Sequence, residues 1–419
     1  MMEINKYENW IFNMRLAKFL GYYYILNPKT DGSLKFYYFL VKLGIIYIVA
    51  ISTCFIFGLY HWKNDINQFT LQLAILQNML FAIYRFYIIM KDSEIIWDIL
   101  KITNLEFLSI ENYNKNILNI WRAISIKYTY LITILTFYVM IVWSLCGYVF
   151  NNSYVTAKNH DGSYSSYHLN VYNLYFFVSA DTYNTYFPIF HLIETLYAFV
   201  YCLFALPADI TLISVCLSVV GQLEVINDSF ENVGLLYQEN VLQQSINVKE
   251  FQNKIKLEFK NIIYNSQNVI RKMKQFYDTF RQIILIQIVV TFINLVLFSY
   301  TGMLHITNGG MVNSIQTVKL ISAFVFFIFQ LFIFCFIFGI INDRKDSMLF
   351  GIYYSNWIEM NLESKKLVLL TMNMNNAHQL KMKITRYKTI DLIMFVGVLK
   401  TCYSVLSVLR NTQLSNNQI

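Results

Sequence analysis

Residues 321–341 have the sequence ISAFVFFIFQLFIFCFIFGII, an apolar run without a single charged side chain. About 20 such residues are what a helix needs to cross the hydrocarbon core of a bilayer. The rest of the chain has the same character, since 56% of its 419 residues are hydrophobic, 17% aromatic and only 14% charged. Soluble domains carry about 25% charged residues. The sequence therefore predicts a protein that crosses the membrane several times.

The whole chain contains seven apolar segments of spanning length. Pro207 lies in the middle of the fourth segment and is expected to kink or break its helix. Arg85 lies in the second segment, where its long side chain is expected to extend toward the nearer interface. Asp391 and Lys400 interrupt the seventh. The predicted spans are residues 37–60, 67–90, 126–150, 187–220, 279–303, 317–341 and 388–409.

The basic residues predict the orientation of these spans. Of the 33 Lys and Arg, 25 fall on the side of the N-terminus, 3 on the opposite side and the other 5 within spans or at their ends. Cytoplasmic loops carry the excess of Lys and Arg in membrane proteins. We therefore expect the N-terminus in the cytoplasm and the C-terminus outside, the inverse of a G-protein-coupled receptor. The net charge of +8 needs no nucleic-acid partner.

The predicted cytoplasmic side also holds most of the polar sequence. Segments 221–280 and 342–387 keep helical periodicity and are expected to form a cytoplasmic helical anchor layer. The fold class is thus an all-α membrane protein with seven transmembrane helices in inverted topology. We divide it into residues 1–341, six spans with a ligand pocket and inner-loop helices, and residues 342–419, an anchor segment followed by the seventh helix.

Enzyme function is not expected, because no phosphate-binding glycine loop, nucleophile elbow or pair of catalytic carboxylates is present. His191 and Glu194 lie one helical turn apart in the fourth segment, but they make only half a metal site. We interpret them as a solvated pair near the outer end of the helix. Asn151 begins a glycosylation sequon in the second outer loop. A metabotropic receptor and a transporter remain alternatives, although a transporter would be expected to show more interrupted helices.

The C-terminal region carries the most specific pattern. Its elements are Cys335 and Gly339, Ser347, Tyr353 and Trp357, the pair Lys365 and Lys366, Gln379, then Leu399-Lys400-Thr401, Tyr403-Ser404 and Leu409-Arg410. Asp209 and Gln222 in the fourth segment are similar to the same pattern. This set resembles the insect odorant receptor family. The chain end differs from the Thr-Tyr and Gln-Phe ending of gustatory receptors, and the shared co-receptor is longer, so the chain looks like a ligand-tuning subunit.

The resemblance implies an odorant-gated, non-selective cation channel in which tuning subunits combine with a co-receptor, as a tetramer, in the plasma membrane of sensory neuron dendrites. It implies no cofactor. In the family the last helix lines the pore, which transfers to Tyr403, Leu406, Ser407 and Arg410. A ring of Leu406 side chains could close a pore by dewetting. The alternatives are that Leu406 packs within the bundle and that Arg410 is an interfacial anchor.

The resemblance also places a ligand pocket in the outer half of the bundle, among spans two to six. Apolar and aromatic side chains with a few polar groups suit a small volatile molecule with one or two oxygens. The alternative for each residue is ordinary packing in the core. The candidates are Phe69, Leu73, Gln77, Phe81, Phe137, Tyr138, Ile141, Val142, His191, Thr195, Ala198, Phe199, Cys202, Val296, Phe324 and Phe327.

Overall fold

A computed structural model describes residues 9–27, 34–110, 114–149, 153–233, 248–307, 315–377, 380–384 and 388–416. Seven of its helices are long and apolar enough to cross a bilayer, which confirms the predicted number of spans. The helices are α1 (Met14–Phe19), α2 (Tyr23–Leu26), α3 (Leu34–His61), α4 (Ile66–Lys91), α5 (Ser93–Leu100), α6 (Lys115–Val149), α7 (Ala180–Thr185), α8 (Phe187–Glu231), α9 (Val248–Thr307), α10 (Ile315–Tyr354), α11 (Leu362–Ala377) and α12 (Leu392–Asn416). The seven spanning helices, in chain order, are α3, α4, α6, α8, α9, α10 and α12.

Several helices extend well beyond the predicted spans. The helix of the fifth span, α9, is 60 residues long, because the polar segment before the span keeps its helical periodicity. The helix of the sixth span, α10, runs on to Tyr354, so the predicted division at residue 341 falls inside a helix. The last helix begins at Leu392 because Asp391 caps it, its Oδ1 accepting a hydrogen bond from the Met394 backbone N–H at 2.9 Å.

The fourth span lies at the centre of the bundle. Within its most apolar window 94% of the residues are buried, against 11% for the seventh span. Pro207 does not break the helix, since α8 continues without interruption from Phe187 to Glu231. Neighbouring helices surround α8 at this point and can compensate for the missing backbone hydrogen bond. Of the two outcomes expected for Pro207, the break is therefore wrong, while the kink stays a prediction.

A short β-hairpin is an exception to the all-α prediction. Strands β1 (Tyr154–Lys158) and β2 (Tyr164–His168) pair antiparallel in the second outer loop. The turn between them contains Gly162, whose φ of +86° suits glycine. Asp161 and Gly162 are a typical hairpin dipeptide, so the sequence contained the signal for this turn.

Polar side chains connect the second and fifth spans at regular intervals. The hydroxyls of Thr70 and Thr301 lie 2.8 Å apart. Asn78 and Asn294 exchange two amide hydrogen bonds, of 3.0 and 2.8 Å. Gln287 then accepts a hydrogen bond from Arg85 at 2.8 Å. On α9 these partners are seven residues apart, or about two helical turns, and we call the set the α4–α9 ladder.

Charged side chains connect the helices on the predicted cytoplasmic side. Asp98 on α5 accepts hydrogen bonds from Lys272 and, at 3.2 Å, from Gln275, both on α9, and from Lys101 at 2.9 Å. Burial acts to raise the pKa of the Asp98 carboxyl, but these hydrogen bonds outweigh it and hold the pKa at about 2. A second link, on α6 and α8, is the 2.8 Å hydrogen bond from the Trp121 indole to Glu224.

Candidate functional site

The five central spans enclose a cavity beside α8. Small side chains create the space, because Ala198, Cys202 and Ala205 all lie on the same face of α8. The cavity volume is about 100 Å³, whereas a single buried water needs roughly 10–15 Å³ on the same measure. The lining consists of Ile75, Asn78, Met79, Phe81 and Arg85 on α4, Thr136, Val139, Met140 and Trp143 on α6, Tyr172 in the loop after β2, Ala198, Tyr201, Cys202, Ala205 and Asp209 on α8, Gln287 and Phe298 on α9, and Ala323, Phe326, Phe327 and Gln330 on α10.

One end of the cavity holds a buried ion pair. Arg85 Nη1 lies 2.6 Å from Asp209 Oδ1, and the two side chains are only 4% and 3% exposed. Gln330 donates to the other Asp209 oxygen at 3.1 Å, and Gln287 donates to Gln330 at 3.0 Å. A buried charge is tolerated in such a place only when it is paired and hydrogen-bonded. The network joins four spans, and the expectation that Arg85 extends toward the interface is wrong.

The opposite end is closed by the outer loop at residues 170–174, which we call the cap loop. The carboxylate of Glu194, fully buried, accepts the backbone N–H groups of Tyr172, Asn173 and Leu174 at 2.6, 3.1 and 2.8 Å. Glu194 is therefore a structural residue under this loop, and its interpretation as a solvated side chain is wrong.

Two further buried side chains hold the carbonyl groups of the cap loop. Lys319 donates to the carbonyls of Asn170 and Val171 at 2.7 and 2.8 Å. Gln72 donates to those of Tyr172 and Asn173 at 3.1 and 2.9 Å. Both N–H and C=O groups of the segment thus have partners inside the bundle, as a buried backbone requires. The result is a fixed position for Tyr172, whose ring lies beside that of Trp143 with centroids 5.8 Å apart.

Comparison with known proteins shows to which family this chain belongs. A family model described as 7tm Odorant receptor matches residues 65–403. The chain belongs to this odorant receptor family. Insect odorant receptors are receptors and not enzymes, which agrees with the absence of catalytic motifs from the sequence. No curated protein sequence matches the chain.

Solved receptor structures share the fold of this odorant receptor. The insect olfactory receptor OR5 from Machilis hrabei superposes with a TM-score of 0.71 at 12% sequence identity, over 94% of this chain and 98% of that one. The same receptor in complex with eugenol gives a TM-score of 0.70 at 12% identity, over 95% and 99% of the two chains. The matches show that nearly the whole chain has the fold of an olfactory receptor, which is a multi-pass membrane protein.

Four of the candidate ligand residues line the cavity of the receptor, namely Phe81, Ala198, Cys202 and Phe327. Gln77 lies close by, but its amide donates to Asn294 at 2.6 Å and so extends the α4–α9 ladder. Five apolar candidates, spread over four spans, are half-buried and do not line the cavity: Phe69, Leu73, Val142, Val296 and Phe324.

Other candidates lie on different surfaces. Phe137 and Phe199 contact each other, with ring centroids 6.3 Å apart, in a separate apolar groove between α3, α6 and α8. Tyr138 and Ile141 are exposed on the outside of α6. His191 supports the cap loop, since its Nδ1 lies 2.8 Å from Asn170 Oδ1, and Thr195 is 3.5 Å from the other ring nitrogen.

The pore candidates all lie on α12. Tyr403 and Arg410 are exposed, while Leu406 and Ser407 are half-buried. Ser407 donates to the Tyr403 carbonyl at 3.0 Å. Asn151, the glycosylation candidate, and Gln379 of the C-terminal pattern lie outside the described residues. Among the residues that are described, no group of three or more His, Cys, Asp and Glu side chains could hold a metal ion.

Sequence reasoning missed two kinds of cavity residue. Arg85 and Asp209 are opposite charges in apolar spans, and pairing them was possible from the sequence, because such charges need partners. Tyr172 lies in a loop without periodicity, and only the contacts of Glu194 and Lys319 bring it into the bundle. No sequence signal for that position exists.

Proposed function

We propose that the chain is the ligand-binding subunit of an odorant-gated, non-selective cation channel that works with the shared co-receptor, as the family's tetramer, in the plasma membrane of sensory neuron dendrites. The observation that carries the proposal is the cavity between the five central spans, in a chain that belongs to the odorant receptor family. A receptor with the same fold has been solved in complex with eugenol, a small aromatic molecule.

The lining supports a ligand that is mostly apolar. Aromatic and aliphatic side chains dominate it, while the polar ones are few and mostly bonded to one another. For a ligand of about a dozen heavy atoms, roughly 0.5 kcal/mol per atom gives about 6 kcal/mol. That free energy corresponds to a dissociation constant of tens of micromolar. A volatile molecule that acts for a short time needs no tighter binding.

The seventh helix supports the pore part of the proposal. Only 11% of its apolar window is buried within the chain, so most of its surface is free to contact lipid or other subunits. Several copies of α12 around one axis would bring the Leu406 side chains together as an apolar constriction. Arg410 lies one turn beyond, where a ring of arginines would repel cations unless its side chain turns away from the axis.

The sixth span offers a connection between cavity and pore. Phe327 and Gln330 on α10 line the cavity, and Phe332 contacts Phe395 of α12 with ring centroids 5.6 Å apart. A ligand that favours a wider cavity would displace α10, and α12 would follow. The ligand then opens the pore by binding the open arrangement more tightly than the closed one.

The test is co-expression with the co-receptor and measurement of odorant-evoked cation current. A heteromer that reaches the cell surface but carries no current for any volatile in a broad panel contradicts the proposal.

Leu406→Ser should raise the current without ligand, whereas Val408→Ser, at an exposed neighbouring position, should not. Equal leak in the two variants would remove the gate from Leu406. Epitope tags at both termini, probed on intact cells, test the inverted orientation.

A further inference from the structure

Two tyrosines that line the cavity have hydroxyls without a hydrogen-bond partner among the described residues. Tyr172 lines it from the cap loop and Tyr201 from α8. No described residue hydrogen-bonds to either hydroxyl, and neither oxygen belongs to the buried polar atoms that are cut off from open space. Tyr197 is the contrasting case, because its hydroxyl is enclosed by protein and its side chain does not line the cavity.

Most of the other polar groups of the lining already have partners. Arg85, Asp209, Gln287 and Gln330 bond to one another. Asn78 exchanges hydrogen bonds with Asn294, as described for the ladder. Thr136 donates to the Ile132 carbonyl at 2.8 Å. Arg85 Nε has no partner, but it is enclosed and does not face open space. Arg85 Nη2 has no partner among the described residues and is not enclosed, but it belongs to the charged ion pair. The two phenols are therefore the uncharged hydroxyl groups that a molecule in the cavity can reach.

A phenol can both donate and accept a hydrogen bond. Inside a protein, an apolar molecule that displaces the water bound to such a hydroxyl leaves it without a hydrogen-bond partner, and this costs free energy. A site built to hydrogen-bond a ligand rejects the analogue that lacks the polar atom far more strongly than it rejects a change of one methylene. Two free phenols, in a cavity whose other polar side chains are mostly bonded within the protein, consequently discriminate between ligands by chemistry as well as by shape.

We propose that Tyr172 and Tyr201 select the ligand of this receptor by hydrogen bonding to an oxygen atom on an otherwise apolar molecule. The ligand class is thus alcohols, phenols, ketones and similar oxygenated volatiles, and a hydrocarbon of the same carbon skeleton binds about 10–100-fold more weakly. This inference rests on the proposed function, since it concerns the same cavity.

The thiol of Cys202 allows binding to be measured without channel activity. It lines the cavity, and none of the other five cysteines does. The experiment uses the purified heteromer with the co-receptor and follows modification of Cys202 by methyl methanethiosulfonate with mass spectrometry. All the probes have eight carbon atoms, in two skeletons: ethylbenzene, 2-phenylethanol and acetophenone are aromatic, and octane and 1-octanol are aliphatic. The concentration that halves the modification rate is the measured quantity.

The oxygenated probes of at least one skeleton should protect Cys202 at about 10–100-fold lower concentration than the hydrocarbon. Tyr172→Phe and Tyr201→Phe should each reduce that ratio by weakening the oxygenated probe, with the hydrocarbon unchanged, which also shows that the variants are folded. Tyr197→Phe is the matched control, because its ring lies against Tyr172, with centroids 5.8 Å apart, and it should leave the ratio intact.

Other outcomes separate the two proposals. Equal protection by hydrocarbons and oxygenated probes, or a ratio unchanged in both Phe variants, overturns the selection by Tyr172 and Tyr201 but leaves the receptor function standing. Protection by no probe, together with the absence of evoked current, overturns both. A Cys202 thiol that does not react even without a probe contradicts an accessible cavity and also overturns the inference.

Discussion

Removing one partner of the buried ion pair should destabilise the receptor more than removing both. Asp209→Leu leaves the Arg85 guanidinium charged in a place where its side chain is 4% exposed, and breaking a buried pair in this way costs about 3–5 kcal/mol. Arg85→Met combined with Asp209→Leu removes both charges. Gln287 and Gln330 then lose one partner each but still bond to one another, so the double variant should lose about 2 kcal/mol or less.

These free energies can be converted to melting temperatures. Unfolding entropies of about 2.1 cal/mol/K per residue, over 419 residues, give roughly 1 °C per kcal/mol. The single variant should therefore melt about 3–5 °C below the wild type and the double variant within about 2 °C of it. The measurement is fluorescence-detected size-exclusion chromatography of a fluorescent-protein fusion, solubilised in detergent and heated in steps.

The control is Asp346→Leu, which breaks the 2.6 Å pair with Lys381, whose side chains are 56% and 24% exposed. Exposed pairs contribute about 0–1 kcal/mol, so this variant should melt within about 1 °C of the wild type. A double variant as unstable as Asp209→Leu would refute the reasoning, because the loss would then come from something other than an unpaired charge.

Three further predictions concern the cavity, the cap loop and the inner side. Ala205→Phe puts an aromatic ring into the cavity and should abolish odorant-evoked current, whereas Val200→Phe in the separate groove should not; normal responses in Ala205→Phe would contradict a ligand in the cavity. Glu194→Gln should expose the amides of residues 172–174 to hydrogen exchange, because an amide side chain cannot accept three N–H groups equally well, and unchanged protection would show that Glu194 does not hold the loop. Asp98→Asn should lower heat stability at pH 7, and the difference from the wild type should shrink as the pH falls from about 4 toward 2, since a depressed pKa stabilises the fold only while the carboxyl is ionised; a difference independent of pH would exclude the charge as its cause.

Hydropathy predicted the seven spans because apolar length is a strong and local signal. It could not predict which side of each helix faces the cavity, since lipid is as apolar as the interior and both sides of a span attract the same residues. Phe199 and Cys202 illustrate this, for they are neighbours on α8, yet the first contacts the separate groove and the second the cavity. The cavity lies among the spans for which a ligand pocket was predicted, and four of the candidate residues line it.

Polar residues inside spans were the more informative signal. Gln77 was a candidate for contacting the ligand, but its amide donates to Asn294 on the fifth span. Pairing polar residues of different spans with one another could have suggested this contact. The cap loop could not be found in this way, because it depends on single contacts between residues about 150 positions apart, such as Lys319 and Asn170. Long-range contacts of one side chain with a backbone carbonyl leave no periodic trace in the sequence.

The α4–α9 ladder limits how the receptor can move. Its partners are seven residues apart on α9 and eight or seven apart on α4, so at about 1.5 Å per residue the next approximate alignment lies roughly 10 Å away. A smaller slide along the helix axes would leave amides and hydroxyls facing hydrocarbon at several levels together. The second and fifth spans should therefore move together as one rigid pair of helices. A displacement on ligand binding should then be a tilt of this pair or a motion of the spans around it.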